Sequence, residues 1–278
     1  MEHVNLLKKT KDLMSLYGFS PKRRLGQNFT VCPEILRLLT EKASLTKDDV
    51  VLEVGAGFGF LTQRLSQQCK KVIAVEIDPQ LVDYLKKKFC SIENVVLIEG
   101  DILNVSLPSF NKIVSAPPYS ISSPLLFHLL EKKFDFGTLI LQKEFAERLA
   151  AVVGTKDYGR LTVMINYRAS VDLLSIVSRK MFYPPPDVDS MMLNLKPREP
   201  PFYVEDESFF FDLVRTLFTQ RNKKVRNALI HFLRKHEITK QKAVELADST
   251  IYEMYRVREL SPKDFAILAN NLNKKINS

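Results

Sequence analysis

The chain has 278 residues, 45% of them hydrophobic and 26% charged, with a formal net charge of +9. That length suits one large domain plus a small one, and the composition is ordinary for a soluble globular protein. No apolar run approaches the ~18 residues of a membrane span, no signal peptide opens the sequence, and Cys32, Cys69 and Cys90 form neither a C-x-x-C pair nor a Cys/His cluster, which argues against a disulfide framework and a metal site. A reducing, cytoplasmic setting follows, with no membrane partner. The basic balance fits a polyanionic partner such as RNA or DNA, and fits equally a basic surface that binds nothing.

Residues 1–20 set Val4, Leu6, Leu7, Leu13, Leu16 and Tyr17 among lysines, which predicts an amphipathic helix lying on the core. Pro21-Lys22-Arg23-Arg24 is a basic turn, and a helix over 33–43 opens at Pro33, a residue suited to a first helical turn. From Val50 the pattern changes. Short apolar, β-branched runs at 50–54, 72–75, 95–98, 113–114 and 139–141 alternate with helical segments at 61–67, 79–89 and 123–132. That alternation predicts a parallel sheet with helices on both faces. Pro184-Pro185-Pro186 and the prolines between 197 and 201 punctuate the chain, the second cluster reading as a linker. Beyond it the pattern predicts helices alone, over 206–219, 223–235, 240–246, 251–254 and 262–274. The expected division is 1–200, with residues 1–20 as a helical extension, and 201–278 as a small all-α domain.

Ligands of such sheets sit beyond the carboxyl ends of the strands, and several chemically suggestive residues fall there. Glu53-Val54-Gly55-Ala56-Gly57-Phe58-Gly59 lies between a strand and a helix, where glycine permits a tight turn and close approach of a ligand to the backbone. Alone this is a weak signal, since a structural turn explains many such runs. Glu76, followed by Ile77, ends the second strand, where an acid can accept from both ribose hydroxyls. Asp101, followed by Ile102, ends the third, where a carboxylate can accept from an adenine amino group. A solvated strand end would explain either acid singly. Their succession favours S-adenosylmethionine over NAD, whose usual fingerprint is G-x-G-x-x-G.

The fourth strand runs into Ser115-Ala116-Pro117-Pro118-Tyr119. This loop resembles the active-site loop of enzymes that methylate exocyclic amino groups of bases. The lone pair of such an amine is delocalised into the ring. Acceptors on its two N–H groups draw the nitrogen toward tetrahedral geometry, and the base must be unpaired or flipped out to be reached. Positioning and electrostatics carry most of that chemistry.

Further motifs occur in order along the chain: Arg23-Arg24-Leu25-Gly26-Gln27-Asn28-Phe29, Leu141-Gln142-Lys143-Glu144, Tyr158-Gly159-Arg160-Leu161, Phe182 to Ser190, and Phe218 to Asn227. Together they resemble the ribosomal RNA adenine N6,N6-dimethyltransferases, the KsgA-type small-subunit enzymes, over residues 22 to 270. The resemblance implies a Rossmann-like, class I S-adenosylmethionine-dependent methyltransferase domain with a C-terminal helical domain that binds rRNA. It implies cofactor contacts at Asn28, Thr30 (usually Leu in the family), Gly55, Gly57, Glu76, Ile77, Asp101, Ile102 and Ala116. It places Ala116, Pro117, Pro118, Tyr119 and Phe182 at the reaction, with Tyr119 and Phe182 flanking the target adenine and the Pro117 carbonyl accepting from its amine. It sets Arg221, Lys223, Lys224 and Arg226 against rRNA phosphates. Residues 219–235 carry six basic residues and no acid, a plausible phosphate-tracking face. Phe182 outside this motif would read as a core aromatic, as Tyr167, Phe209, Phe210 and Phe211 do here. The implied partner is small-subunit rRNA within an immature ribosomal subunit, bound by a monomer.

One departure stands out. The family's loop Asn falls on Ala116, which has no side-chain acceptor. Two explanations fit: a weakly active or non-catalytic member, or an introduced Asn-to-Ala replacement. The competing functions are a non-catalytic ribosome-assembly factor, a DNA adenine methyltransferase, a mitochondrial transcription factor of related fold, and a large-subunit resistance methyltransferase.

Overall fold

In the computed structural model, which describes residues 5–277, the first element is helix α1 (Leu6–Leu16). Asn5 caps it by accepting from the Lys8 amide, and Leu6, Thr10 and Met14 form the buried stripe. Their i, i+4, i+8 spacing is that of a helix face lying on a core. The expected helix over 1–20 is therefore shorter, and its Val4 lies outside the described residues. There follow β1 (Phe29–Thr30), α2 (Pro33–Lys42), β2 (Val50–Val54), α3 (Phe60–Ser66), β3 (Lys71–Glu76), α4 (Pro79–Lys88), β4 (Val95–Glu99), β5 (Lys112–Ser115), α5 (Ser122–Leu130) and β6 (Phe136–Gln142). The chain continues through α6 (Lys143–Leu149), α7 (Arg160–Arg168), β7 (Ala169–Val177), β8 (Phe182–Tyr183) and β9 (Ser190–Pro197) to the helices α8 (Glu207–Phe218), α9 (Val225–Lys235), α10 (Lys240–Asp248) and α11 (Pro262–Asn277).

Two compact units result. One comprises the residues up to Ala146 with Val171–Pro197; the other comprises Glu147–Ser170 with the residues from Arg198 onward. The break after Pro197 falls where the proline cluster begins. Residues 147–170, expected within the first domain, belong to the helical unit: Tyr158 is 1% exposed and donates to the Leu260 carbonyl at 2.7 Å.

The sheet of the first unit has the order β4-β3-β2-β5-β6-β9-β7. Strands β4, β3, β2, β5 and β6 pair in parallel, as expected, but β9 runs antiparallel to β6, with Ile140 opposite Met192. The sheet is thus mixed and wider than the sequence reading, which stopped at 139–141. Strand order reverses between β2 and β5, the point where an open α/β sheet leaves a crevice. A separate two-stranded ribbon pairs β1 with β8, setting Thr30 opposite Phe182.

The helical unit is organised around Phe210, Phe232 and Phe265, each fully buried, with Tyr167 at 3% exposure beside them. Phe209 and Phe211 pack against that cluster from its margin. The short helix expected at 251–254 is a run of turns instead. The Glu253 and Tyr255 amides donate three residues back, to the Thr250 and Tyr252 carbonyls at 3.3 and 3.0 Å, and the chain just beyond pairs with the segment entering α9, the Val225 and Val257 amides donating to the Tyr255 and Lys223 carbonyls at 2.8 and 3.1 Å.

Candidate active site

The ends of β2, β3, β4 and β5 and the β1–β8 ribbon open on one cavity. Its wall contains Asn28, Thr30, Gly55, Gly57, Glu76, Ile77, Asp101, Ile102, Ala116, Pro117, Pro118, Tyr119 and Phe182. Every cofactor and reaction residue expected from the sequence thus faces the same space.

The glycine loop needs its glycines for stated reasons. Gly57 has φ +57°, and a Cβ there would lie 2.9 Å from Phe29 Cδ1. A side chain would be strained and would collide. Glu76 holds this loop: Oε2 accepts from the Gly57 amide at 2.8 Å, and Oε1 accepts from the Ile77 and Asp78 amides at 3.0 Å. Its carboxyl is 5% exposed, and burial pushes its pKa up against those three hydrogen bonds. Asp101 turns the next strand end, accepting from the Leu103 amide at 3.0 Å and from Asn104 Nδ2 at 3.1 Å.

Glu53, also on the cavity wall, is 2% exposed, with Thr62 beside its carboxyl and no hydrogen bond of ordinary geometry to its Oε2 among the described residues. Burial, aided by the charge of Glu76, pushes its pKa up to about 8. Lys88 closes the loop from behind. Its Nζ donates to the Phe58 and Gly59 carbonyls at 2.7 and 2.9 Å and lies 5.1 Å from the centres of the Phe60 and Phe89 rings. Burial and the charge of Lys9 bring its pKa down to about 8, against the pull of Glu53.

The N-terminal motif is fixed by Asp78, whose side chain is fully buried. Lys22 Nζ and Gln27 Nε2 donate to its two oxygens at 2.7 and 2.8 Å. Burial opposes ionisation of this carboxyl, but those donors outweigh it and hold its pKa below the usual range. Asn28 donates its amide to the Gly26 carbonyl at 3.2 Å, which leaves its side-chain oxygen as an acceptor at the cavity. Tyr119 is anchored from the far side, its hydroxyl hydrogen-bonded to the buried Ser190 Oγ. Burial pushes the phenol up to about 12, so it stays neutral. Phe182, 3% exposed, packs into the core of the first unit and lines the cavity as well. Ala116 lies on the wall just past the end of β5, among the apolar side chains at the core's margin.

The sequence reading named neither Ser190, Asp78 nor Lys88 as a site residue. An Asp immediately before Pro79 is a helix-start signal, so Asp78 was findable. Lys88 ends a run of three lysines and carried no such mark.

The four basic residues expected to face RNA belong to the helical unit and fall into two pairs. Arg221 donates to the Lys156 and Thr155 carbonyls at 2.8 and 3.0 Å, and Arg226 is ion-paired with Asp248. Lys223 and Lys224 are exposed and have no ion-pair partner among the described residues; Lys224 Nζ lies 3.6 Å from Met254 Sδ.

S-adenosylmethionine fits this cavity on the chemistry of its wall. Acceptors stand at two successive strand ends for ribose hydroxyls and an adenine amine. The buried Glu53 carboxyl suits a cationic group, and no Cβ blocks the loop at 55 or 57. A switch-point crevice furnished in this way defines a Rossmann-like, S-adenosylmethionine-dependent methyltransferase.

Comparison with known proteins narrows the class. The model of the family described as "Ribosomal RNA adenine dimethylase" matches residues 18–274. The "Probable ribosomal RNA small subunit methyltransferase A" of Methanosarcina acetivorans is 43% identical over 248 residues, spanning 88% of this chain and 91% of the relative. Its counterpart in Methanopyrus kandleri is 40% identical over 261 residues, 92% and 94% of the two chains. Among solved structures, a dimethyladenosine transferase from Plasmodium falciparum superposes with a TM-score of 0.77 at 29% identity, covering 89% of this chain and 98% of that one. The 23S rRNA methyltransferase ErmE superposes at 0.65 and 28%, covering 88% and 100%. The chain belongs to the ribosomal RNA adenine dimethylase family, and its activity is S-adenosylmethionine-dependent dimethylation of rRNA adenine.

Proposed function

We propose that the chain dimethylates the N6 amino groups of adjacent adenines in a hairpin of small-subunit rRNA, acting as a cytoplasmic monomer on the immature subunit. The observation that carries this reading is the convergence of the glycine loop, Glu76, Asp101 and the Pro-Pro-Tyr loop on one cavity at the strand-order switch. The names borne by the archaeal relatives support the small subunit as substrate.

When bound, S-adenosylmethionine supplies an electrophilic methyl group on a sulfonium. Residues of this chain bind and orient it: Gly55 and Gly57 let it approach the backbone, Glu76 and Asp101 accept from its nucleoside, and Asn28, Thr30, Ile77 and Ile102 complete its walls. An extruded adenine meets Tyr119 and Phe182. The Tyr119 ring is held in place through Ser190, so little ordering is left for the moment of reaction. The Pro117 carbonyl accepts from one N–H of the amine. Position 116, where the family has Asn, supplies no second acceptor. Loss of one preorganised hydrogen bond of this kind typically costs about 10²–10³ in rate. Methyl transfer to immature small subunits by this chain and by its Ala116→Asn variant tests the reading. Faster transfer by the Asn variant is expected.

Ala116 favours a second reading, that of a ribosome-assembly factor that binds the immature subunit without modifying it. Binding of the subunit by both proteins, with transfer by neither, would establish it and overturn the first.

A further inference from the structure

Part of the helical unit's surface combines two features that seldom share an exposed site. Ile251, Met254 and Tyr255 are 74%, 64% and 52% exposed, three large apolar side chains within five residues. They lie beside Lys223, Lys224 and Arg256, cations whose side chains have no ion-pair partner among the described residues. The segment that bears them pairs with the chain entering α9 through an antiparallel bridge between Lys224 and Arg256. The backbone bonds Val225 N to Tyr255 O (2.8 Å), Val257 N to Lys223 O (3.1 Å) and Arg258 N to Arg221 O (3.1 Å) extend it into a short ribbon. Lys223, Lys224, Tyr255 and Arg256 are all exposed on that ribbon.

The ribbon is braced from beneath. Arg221 ties one strand to the Thr155 and Lys156 carbonyls, and the Arg256 guanidinium donates to the Asn222 carbonyl across the pair. The Tyr255 ring meets Tyr252 edge-on, with centroids 6.1 Å apart and planes at 76°. Tyr252 is in turn fixed by its hydroxyl to Asp264 at 2.9 Å. Tyr255 is therefore a pre-positioned ring with no other ring stacked on its face among the described residues. Of the nearby acids, Asp248 pairs with Arg226, and Glu259 accepts from the backbone amide of Arg256. Glu253 is half-buried.

We infer that this ribbon is a platform for an unpaired RNA strand, with a base stacked on Tyr255, the Met254 and Ile251 side chains beside it, and the flanking phosphates on Lys223, Lys224 and Arg256. The inference rests on the reading of the chain as an rRNA enzyme and deepens it. A ring among cations is what a single strand requires, since every base has a π-face and every nucleotide a phosphate. An acidic protein segment would use the cations and leave the ring idle. The platform also redistributes the roles expected of the basic cluster. Arg221 braces the ribbon and Arg226 is taken up by Asp248, while Lys223 and Lys224, with the exposed Arg256 beside them, meet the ligand.

The full-length chain can be titrated with a labelled oligouridine, which offers no adenine to the catalytic cavity. Tyr255→Ala should weaken binding about tenfold, in the range of one lost base–aromatic stack, with the salt dependence unchanged. Tyr255→Phe should restore it. Lys223→Ala and Lys224→Ala should each reduce the slope of log affinity against log salt by about 0.7. Oligouridine binding by Tyr255→Ala within twofold of wild type would overturn the platform, as would equal losses in the Ala and Phe variants. A loss seen on the small subunit but not on oligouridine would assign the surface to folded rRNA or a ribosomal protein in place of an unpaired strand, and overturn it too. Methyl transfer to small-subunit rRNA by the same wild-type and Ala116→Asn preparations separates the two readings. Its absence sinks the proposed enzymatic function; its presence alongside an indifferent Tyr255 sinks only the platform.

Discussion

Around the cavity Glu76, Asp78 and Lys88 are buried or half-buried and are held by hydrogen bonds. Glu76 accepts three amide hydrogen bonds, Asp78 has no exposed side-chain surface, and Lys88 donates to two carbonyls. On the ribbon of the helical unit Lys223 and Lys224 stand in solvent, and Arg256 beside them is bonded to the fold, at the Asn222 carbonyl. In the first region charge sets the shape of a site before any ligand arrives. In the second it waits for a polyanion, and little of the fold depends on it. A substitution in the cavity should therefore act on stability and cofactor binding together, whereas one on the ribbon should act on RNA alone.

The hardest test of that contrast is Glu76→Ala. It leaves the buried Gly57 and Asp78 amides, each worth about 1–3 kcal/mol, and the half-exposed Ile77 amide without their acceptor, so the chain should lose several degrees of melting temperature and its affinity for S-adenosylmethionine. Calorimetry that found cofactor affinity intact would break the comparison.

Glu53 gives a pH signature of the same buried charge. Its pKa rises from 4.5 in the unfolded chain to about 8 in the folded one. The folded state thus holds an extra proton between those values, and the associated stability is complete below pH 4.5 and lost as pH climbs to 8. Lys88 moves from 10.5 down to about 8. Its penalty therefore applies below pH 8 and is relieved above it, outside the Glu53 window. Glu53→Gln should flatten the loss between pH 4.5 and 8, read from denaturant unfolding of the cofactor-free protein. A wild-type curve that rises across that interval would contradict the burial argument.

Gly57→Ala should cost about 1–3 kcal/mol, through positive φ and the contact with Phe29, and weaken cofactor binding. Chemical denaturation with and without S-adenosylmethionine measures both. The smallest effect sharpens the other half of the comparison. Arg221→Ala should lower the melting temperature, because two carbonyls lose their donor, with no change in the salt slope of RNA binding. Lys223→Ala should lower the slope and leave melting unchanged.

Much of the cavity was legible as local strings. The loop glycines, Glu76, Asp101 and Pro-Pro-Tyr each sit within a residue or two of a strand end, and parallel pairing brings all those ends to one edge of the sheet. The edge beyond β6 was not legible: β9 carries Met191, Met192 and Asn194, a mixture that marks no strand, and its antiparallel course is decided by pairing with β6. The segment 251–254 was misread for a similar reason, since its neighbour in space lies about thirty residues upstream.

The amino-acid sequence by itself determined the alternation of strand and helix, the family, the cofactor and the absence of an acceptor side chain at Ala116. These depend on residue identity and on spacing along the chain. Only the tertiary structure decided which charges are free. The run from Arg221 to Arg226 looks uniform in sequence, yet Asp248 and the carbonyls of residues 155 and 156 bind two of its members and leave the two lysines exposed. The partners of a charged side chain are set by folding, which brings distant segments within hydrogen-bond reach.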